Sequence, residues 1–299
     1  MNPPGFRPLR FPAWAASLAL LAACSSQPLP APPQGAHWVQ DTGLSEMSGL
    51  VASARDPGVL WSINDSGSLP RLFRLDEDGR ALGRVWVRGR WWRDTETLAT
   101  WQEGDTHWLL VGDVGDNRGV REEVAVHGLA EPARGDTTAR IAWTLRFRYP
   151  DGPRDAEGIA VDAVAGDLLV LSKRDEPVRL YRVPLSARLS DDVVVAEFLG
   201  SPPPGAIEGE ATGLDLDVAG HDLVVLSYGG LYVWQRQPGE DWGAVLARTP
   251  QSVPMPHLRK AEAMALSATP GRVLVGAERL PTPLWSSDYA PEAAPSHGP

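Results

Sequence analysis

Pairs of short apolar runs recur along the chain, each pair separated by a turn and preceded by polar residues. The clearest pair begins at RDAEGIAVD (154–162), turns at Ala165-Gly166-Asp167 and returns as LLVLS (168–172). The plan recurs as SEMSGLV before GVLWSIND, RDTETLA before HWLLVGDVGDN, GEATGLDLD before DLVVLSYGG, and RKAEAMALS before RVLVGAER. Apolar runs of this length, bounded by turn residues, are typical of buried β-strands. The pattern therefore predicts a series of β-hairpins.

The hairpins recur at a nearly regular spacing. Alignment on one position gives Ser48, Glu96, Glu157, Thr212 and Glu262, with steps of 48, 61, 55 and 50 residues by subtraction. A repeat of this period that is built from short strands is typical of radial β architectures. The sequence therefore predicts an all-β fold, a β-propeller with five blades. A ring of six blades is the alternative, if residues 131–149 form an irregular blade.

The two ends of the repeat array complement each other. Residues 37–42 (HWVQDT) form a candidate strand ahead of the first repeat, and the last repeat lacks an obvious fourth strand. A propeller loses its free sheet edge when an N-terminal strand joins the last blade. We expect that closure here, within a propeller domain of residues 37–289. Residues 140–149 alternate with period two and predict an outer strand.

The first 23 residues predict a signal peptide, because basic residues precede an apolar stretch (14–23) that is too short to span a bilayer. The stretch ends in Leu-Ala-Ala directly before Cys24, which resembles a bacterial lipobox and implies acylation of Cys24. An ordinary secretory signal is the alternative. Two or more acyl chains suffice for a stable membrane anchor. Ser25 and Ser26 resemble an outer-membrane sorting signal, so we expect a cell-envelope protein on the periplasmic side of the outer membrane.

Composition limits the partners. Residues 24–36 are rich in proline and predict an extended, lipid-anchored linker, and residues 290–299 predict a disordered tail. The chain has 38 acidic and 28 basic residues, a formal net charge of −10. This balance argues against nucleic acid as a partner, because nucleic-acid binding needs a basic surface. The single cysteine excludes an intrachain disulfide. We expect a monomer.

Carboxylates stand at the beginning of most repeats. In a propeller blade the innermost strand begins, and the second strand ends, at the same face of the ring, so these side chains should converge. Crowded carboxylates repel one another or raise one another's pKa unless a cation compensates them. Ca²⁺, which takes roughly six to eight oxygen ligands, is one compensation, and Arg93, Arg154 and Arg259 are the other. The predicted calcium ligands are Asp94, Glu96, Asp155, Glu157, Glu262, Asp113, Asp116 and Asn117.

The GDVGDN segment (112–117) is open to two interpretations. Its Asp and Asn side chains can deliver oxygen ligands to the mouth of the channel, or they can cap a glycine-rich turn. The segment lacks the spacing of an EF-hand. Asn64-Asp65-Ser66-Gly67 is the equivalent turn of the first repeat and carries the same ambiguity.

Three segments, SEMSGL, SINDSG and DAEGIAVD, resemble the bacterial phytase-like (esterase-like phytase) propeller domains, and GDVGDN and RYPDGPRDAEG resemble uncharacterised secreted lipoprotein propellers. The resemblance implies a propeller, calcium binding and hydrolysis of phosphate or carboxylate esters. The positions that match the acidic pairs of the family are Asp94, Glu96, Asp155 and Glu157. Ser48 and Thr212 depart from the pattern, which has Glu there, and the full basic set of a propeller phytase is absent.

Two functions fit these features. We favour a lipid-anchored envelope protein that binds or scaffolds an unassigned ligand, a small anionic molecule or an envelope protein, around an acidic, calcium-binding channel. The alternative is a metal-dependent (phospho)ester hydrolase of the phytase-like type, in which a carboxylate activates water. The residues that would carry catalysis are Glu157, Asp155, Arg154 and Lys173. The sequence contains no G-x-S-x-G elbow, P-loop, H-E-x-x-H or C-x-x-C motif.

Overall fold

The structure is a computed structural model that describes Met1 and residues 29–65, 67–89 and 92–289. The predicted signal peptide from residue 2 onwards, Cys24 with the start of the linker, and the predicted tail at 290–299 lie outside the described residues. Every strand of the described part belongs to the compact unit that begins at Pro32. Among the described residues, no helix is long and apolar enough to cross a membrane.

Each repeat contributes a group of short strands. Strand β1 (Ala36–Trp38) lies ahead of the first repeat, which contributes β2 (Met47–Ala52), β3 (Val59–Asn64), β4 (Arg71–Asp76) and β5 (Ala81–Arg88). The second contributes β6 (Thr97–Glu103), β7 (Thr106–Asp113), β8 (Val124–Ala130), β9 (Thr138–Arg140) and β10 (Trp143–Arg148). The third contributes β11 (Ala156–Asp162), β12 (Asp167–Ser172), β13 (Leu180–Pro184), a 3₁₀ turn (Leu185–Leu189), β14 (Val193–Val195) and β15 (Glu197–Gly200). The fourth contributes β16 (Ala211–Leu216), β17 (Asp222–Ser227), β18 (Gly230–Gln235), helix α1 (Trp242–Leu246) and β19 (Gln251–Val253), and the fifth β20 (Ala261–Leu266), β21 (Arg272–Ala277) and β22 (Pro283–Asp288).

In the described chain these strands form five sheets, blades one to five of a β-propeller, which confirms the predicted fold. The innermost strands of the blades are β2, β6, β11, β16 and β20. Each contacts the next in that order, and β20 contacts β2, which closes the ring. The six-bladed alternative is wrong, because residues 131–149 build no blade of their own. They add β9 to blade one and β10 to blade two.

The N-terminal strand completes the last blade. β1 pairs antiparallel with β22, with Ala36 opposite Trp285 and Trp38 opposite Pro283. Blade five therefore takes its fourth strand from the start of the chain, and the edge of β22 is covered rather than left as a row of unpaired backbone groups. This pairing confirms the predicted closure of the ring.

Blades one and two each carry a fifth strand that the sequence pattern did not predict. β9 pairs parallel with β5, so residues of the second repeat extend blade one. β14 pairs parallel with β10, so residues of the third repeat extend blade two. Strands of three residues are too short to show a periodicity in sequence. The second and third repeats are thereby joined to the blade before them by main-chain pairing.

Apolar side chains fill the spaces between adjacent blades. All of LLVLS (168–172) is buried, as expected for a strand covered on both faces. Val85 and Val87 of blade one share a core with Leu109 of blade two. Trp61, which is 1 % exposed, belongs to the same core. This packing holds the five inner strands together around the axis.

Candidate functional site

A β-bulge lies at the equivalent position of the blades. In four blades the pairing of the two innermost strands skips one residue, and the skipped residues are Ser48, Glu157, Thr212 and Glu262. In blade two the N–H of Glu96 donates to the carbonyl oxygen of Gly112 at 3.1 Å, although Thr97 is the register partner of Gly112. A bulge re-aims the side chain of its extra residue. We call the five aligned residues, together with Lys173 and Tyr228, the hub.

Glycine follows the bulged residue in three of the blades, where adjacent blades approach each other closely. A Cβ on Gly158 would lie 2.6 Å from the Cβ of Leu214 in the next blade. A Cβ on Gly49 would lie 3.1 Å from the backbone nitrogen of Leu98. A Cβ at 2.6 Å would overlap Leu214, and one at 3.1 Å would push the backbone of Leu98 away, so the glycines let the inner strands come together behind the hub.

Two hub residues, Ser48 and Thr212, carry no carboxylate, and each donates a hydrogen bond to the next blade. The Ser48 hydroxyl donates to Oε2 of Glu96 at 2.8 Å. The Thr212 hydroxyl donates to the carbonyl oxygen of Ala261 at 2.7 Å. An ionised carboxylate in either place could only accept a hydrogen bond, and it would face another acceptor. The departures of Ser48 and Thr212 from the Glu pattern therefore have a structural reason.

Lys173, directly after β12, brings a positive charge into the hub. Its ammonium group forms an ion pair with Glu157, and both side chains are buried. The nitrogen lies 5.6 Å from the centre of the Tyr228 ring, whose hydroxyl donates to Glu262. Burial lowers the pKa of Lys173. The hub glutamates, Glu157 first, raise it by more than burial lowers it, so the pKa of Lys173 is above its usual value. Lys173 therefore stays charged at neutral pH.

The hub glutamates have raised pKa values. Burial, followed by the charge of Glu157, raises the pKa of Glu96 to about 10. Burial raises the pKa of Glu157 to about 8 despite its ion pair with Lys173. Burial and a hydrogen bond with Glu278 raise the pKa of Glu262 to about 7. One lysine does not neutralise three carboxylates, so protons or a bound cation supply the remaining positive charge.

Three carboxylates beside blades one and two form a candidate cation site, which we call the carboxylate trio. Oxygen atoms of Asp65, Asp94 and Glu96 lie within 4.8 Å of one another. A Cβ on Gly115 would lie 2.7 Å from Cγ of Asp94, so the GDVGDN turn packs against the trio. Oxygens at this spacing fit a shared Ca²⁺, whose bonds to oxygen are about 2.3–2.6 Å long. Water would supply the remaining ligands.

Asp65 is absent from the set of predicted calcium ligands, although its turn was recognised as the equivalent of GDVGDN. It directly follows β3, the second strand of blade one, and its N–H donates to the carbonyl oxygen of Glu46 at 2.9 Å. The position of Asp65 in the sequence could have identified it. An acid directly after the second strand of a blade lies at the same face of the ring as an acid directly before the first strand.

The acidic side chains of the GDVGDN turn take part in a different network. Asp113 forms a salt bridge with Arg121 at 2.9 Å. Burial raises the pKa of Asp113, but a hydrogen bond with His127 and the charge of Arg121 lower it to about 2. Asp116 accepts from the N–H of Arg121 at 2.7 Å. Asn117 accepts from Arg174. These contacts fit the turn-capping interpretation, and a cation bound here would have to displace them.

Asp155 and Arg154 lie beside the hub and are engaged with other partners. Asp155 accepts from Arg174 at 2.7 Å. Arg154 pairs with Asp151 at 2.7 Å. Of the two compensations considered for the acidic pairs, the arginine is not directed at its own pair here, because Arg154 pairs with Asp151 and Asp175. Lys173 brings the positive charge to this part of the hub instead.

A cavity of about 250 Å³ opens next to the hub, between blades three and four. Lys173 and Arg174 line it together with Glu210, and Pro202 and Pro203 add apolar walls. The volume is below the usual range of drug-sized pockets and suits a small polar molecule.

No protein-family model matches the chain, and no curated protein matches it. Among solved structures, the chain is similar to one in the crystal structure of a nidogen/laminin complex. The TM-score is 0.44 and the identity 14 %, over 78 % of this chain and 73 % of that one. A likeness at this level carries no argument, so the propeller assignment depends on the sheet topology described above. The resemblance to phytase-like propellers stays a prediction.

Proposed function

We propose that this protein is a lipid-anchored cell-envelope binding protein whose hub holds a divalent cation, Ca²⁺, as part of a site for a small anionic ligand or an envelope protein. The observation that carries the proposal is the carboxylate trio of Asp65, Asp94 and Glu96 within 4.8 Å. A cation there would replace the proton that Glu96 holds at neutral pH because burial, followed by the charge of Glu157, raises its pKa to about 10. Ca²⁺ held by three side chains keeps positions that an anionic ligand can occupy.

The surroundings of the trio support an anionic ligand. Lys173 and Arg174 line the cavity between blades three and four, so an anionic molecule there would meet positive side chains beside the hub. Arginine recognises carboxylate and phosphate groups through paired N–H donors. The lipid anchor would come from acylation of Cys24, and it would keep the protein on the periplasmic side of the outer membrane.

Calorimetric titration of the full chain in detergent with CaCl₂ tests the cation site. We expect saturable binding that Asp94→Asn weakens more than about tenfold, because even the loss of an outer partner of a metal ligand costs about 10–100-fold in affinity. Asp191→Asn, which changes an exposed aspartate, is the matched control and should leave the affinity unchanged. Absence of binding at millimolar Ca²⁺, or an equal loss in both variants, would contradict the proposal.

A hydrolase is the second candidate, and the pKa values of Glu157 and Lys173 in the hub favour it. Glu157, with a pKa of about 8, lies against Lys173, which stays charged. Titratable groups with separated pKa values are typical of acid–base sites. Glu157 would accept a proton at its carboxylate, while Lys173 and Arg174 bind the anionic part of an ester in the cavity. The cation, when bound, would polarise an ester or phosphoryl oxygen.

A panel of aryl esters and aryl phosphates, assayed with Ca²⁺ and with a chelator, separates the two functions. Calcium-dependent turnover that is lost in Glu157→Gln, and kept in a variant of the exposed Glu122, Glu122→Gln, establishes the hydrolase. If Ca²⁺ raises the melting temperature but no substrate turns over, the binding function stands and the hydrolase is excluded for these ester classes.

A further inference from the structure

The outer part of blade one exposes arginine and tryptophan side chains in a chain with an excess of acid. Along β5, Val85 and Val87 point into the core shared with blade two. Arg84, Trp86 and Arg88 alternate with them and are exposed. The Trp86 side chain in particular is 43 % exposed, although a tryptophan usually lies in a core.

The neighbouring strands extend this exposed face. Arg71 of β4 is the register partner of Trp86, and its guanidinium carbon lies 4.2 Å from the centre of the indole ring. Arg140 of β9 is the register partner of Arg88. Residues in register on adjacent strands project from the same face of the sheet. We call Arg71, Trp86, Arg88 and Arg140 the arginine face.

Within the described residues, no acid forms a salt bridge with the arginine face, although the charge of Asp41 acts on Arg71. Arg84 forms a salt bridge with Asp41, but no salt bridge between described residues includes Arg71, Arg88 or Arg140. Like charges in register on adjacent strands destabilise a sheet. Arg88 and Arg140 are such a pair. The chain has ten more acidic than basic residues (38 − 28), so the lack of a salt-bridged acid beside these two arginines is a local feature of blade one. An anionic partner would remove the repulsion.

The chain enters blade one near the turn between β4 and β5, at the other end of these strands from Arg71 and Trp86. The N–H of Gln40 donates to the carbonyl oxygen of Gly79 at 2.9 Å, and Asp41 pairs with Arg84, two residues before Trp86. Residues 37–40 therefore contact the turn of this hairpin, and Asp41 reaches the strand that carries Trp86.

We propose that the arginine face docks the propeller onto the anionic phospholipid headgroups of the membrane that holds its N-terminus. Guanidinium groups bind phosphate through paired hydrogen bonds. Tryptophan is enriched at the headgroup level of bilayers. The choice of this membrane rests on the proposed lipid anchor, whereas the affinity of the face for anionic headgroups does not. The arginine face lies on the outer strands of blade one, so docking through it leaves the hub accessible to ligands.

Partition into vesicles tests the docking. Residues 24–299 carrying Cys24→Ser, which lack the predicted signal peptide and cannot be acylated, are mixed with phosphatidylcholine vesicles that contain either no phosphatidylglycerol or about a third of it. We expect partition that depends on phosphatidylglycerol. Arg88→Gln/Arg140→Gln should weaken it about 30-fold, because each arginine near an anionic surface contributes about fivefold. The matched control is Arg80→Gln/Arg248→Gln, which removes two arginines that pair with acids elsewhere and should change nothing.

Equal partition into both kinds of vesicle, or an equal loss in the control pair, overturns the proposal. Displacement of the protein by excess inorganic phosphate at constant ionic strength also overturns it, because the face would then be a site for free phosphate. If Arg88→Gln/Arg140→Gln fails to fold, the partition of the protein without these substitutions is measured at increasing salt. Docking predicts that partition weakens as salt rises, and partition that does not change with salt overturns the proposal. The intact mass of the wild-type chain tests the anchor separately, and an unacylated Cys24 would leave the vesicle result standing.

Discussion

Replacement of Glu96 by Gln tests whether the hub holds a proton. Glutamine has nearly the shape of a protonated glutamate, and its carbonyl oxygen can still accept the hydrogen bond from Ser48. Burial is the main reason that the pKa of Glu96 rises from 4.5 to about 10, and the charges of Glu157 and Asp65 add to it. The folded chain therefore keeps a proton on Glu96 at pH values where the unfolded chain has released it.

The sign and size of the effect follow from proton linkage. Because the folded state binds the extra proton, the free energy of unfolding falls as pH rises between 4.5 and about 10. One proton corresponds to a slope of about 1.4 kcal/mol per pH unit, or about 2.7 kcal/mol between pH values of about 6 and 8. Glu157 and Glu262, with pKa values of about 8 and 7, steepen the lower part of this range.

Urea unfolding followed by tryptophan fluorescence, at several pH values between about 6 and 8 and with a chelator present, measures the slope. We expect the Glu96→Gln slope to be shallower than the wild-type slope by about 1.4 kcal/mol per pH unit. Glu122→Gln, at an exposed position, should keep the wild-type slope. Saturating Ca²⁺ should flatten the wild-type slope, because the cation replaces the proton. A wild-type stability that rises with pH, or an unchanged slope in Glu96→Gln, refutes the reasoning.

Three further predictions concern the surroundings of the hub. Asp113→Asn should lower the free energy of unfolding by about 3–5 kcal/mol in urea at neutral pH, because Arg121 stays buried without its charged partner. In the wild type, the stability that Asp113 contributes should be lost as pH falls from about 4 towards its folded pKa of about 2. Gly115→Ala should weaken Ca²⁺ binding in calorimetry, with a smaller effect on thermal melting, because the added methyl meets Cγ of Glu96 at 2.8 Å. Replacement of Ala36–Trp38 by Gly-Ser-Gly should lower the melting temperature and remove hydrogen-exchange protection from β22, because blade five loses its fourth strand; unchanged protection would contradict the role given to β1.

The ring could be predicted from the sequence because its cause is repeated in the sequence. Each blade needs a buried hairpin, so runs such as LLVLS recur at a regular spacing, and the aligned residues fall on the bulges at the axis. Glu96, Glu157 and Glu262 are brought together because the same local geometry operates in each blade.

The parts that could not be predicted depend on contacts between repeats. Lys173 reaches Glu157 because it follows the second strand of its blade. The sequence alone does not show that Lys173, rather than the nearby Arg154, is the partner of Glu157. Asp113 has the same residue type as Asp94, yet Arg121, eight residues further along, binds its carboxylate. Which acid faces a cation and which faces an arginine is decided by side-chain reach in three dimensions, and a one-dimensional pattern does not contain it.

The strands β9 and β14 give the ring an order of assembly. Blade one remains incomplete on the ribosome until the second repeat has emerged, and blade two until the third has emerged. In the described chain no strand is shared across the boundaries between blades three and four or four and five. The first three blades are thus joined by main-chain pairing, whereas blades three and four are joined through side chains, among them Asp162, which accepts hydrogen bonds from Arg236 at 2.6 Å and Trp242 at 3.0 Å. The carboxylate trio lies beside blades one and two, at a boundary that this main-chain pairing reinforces.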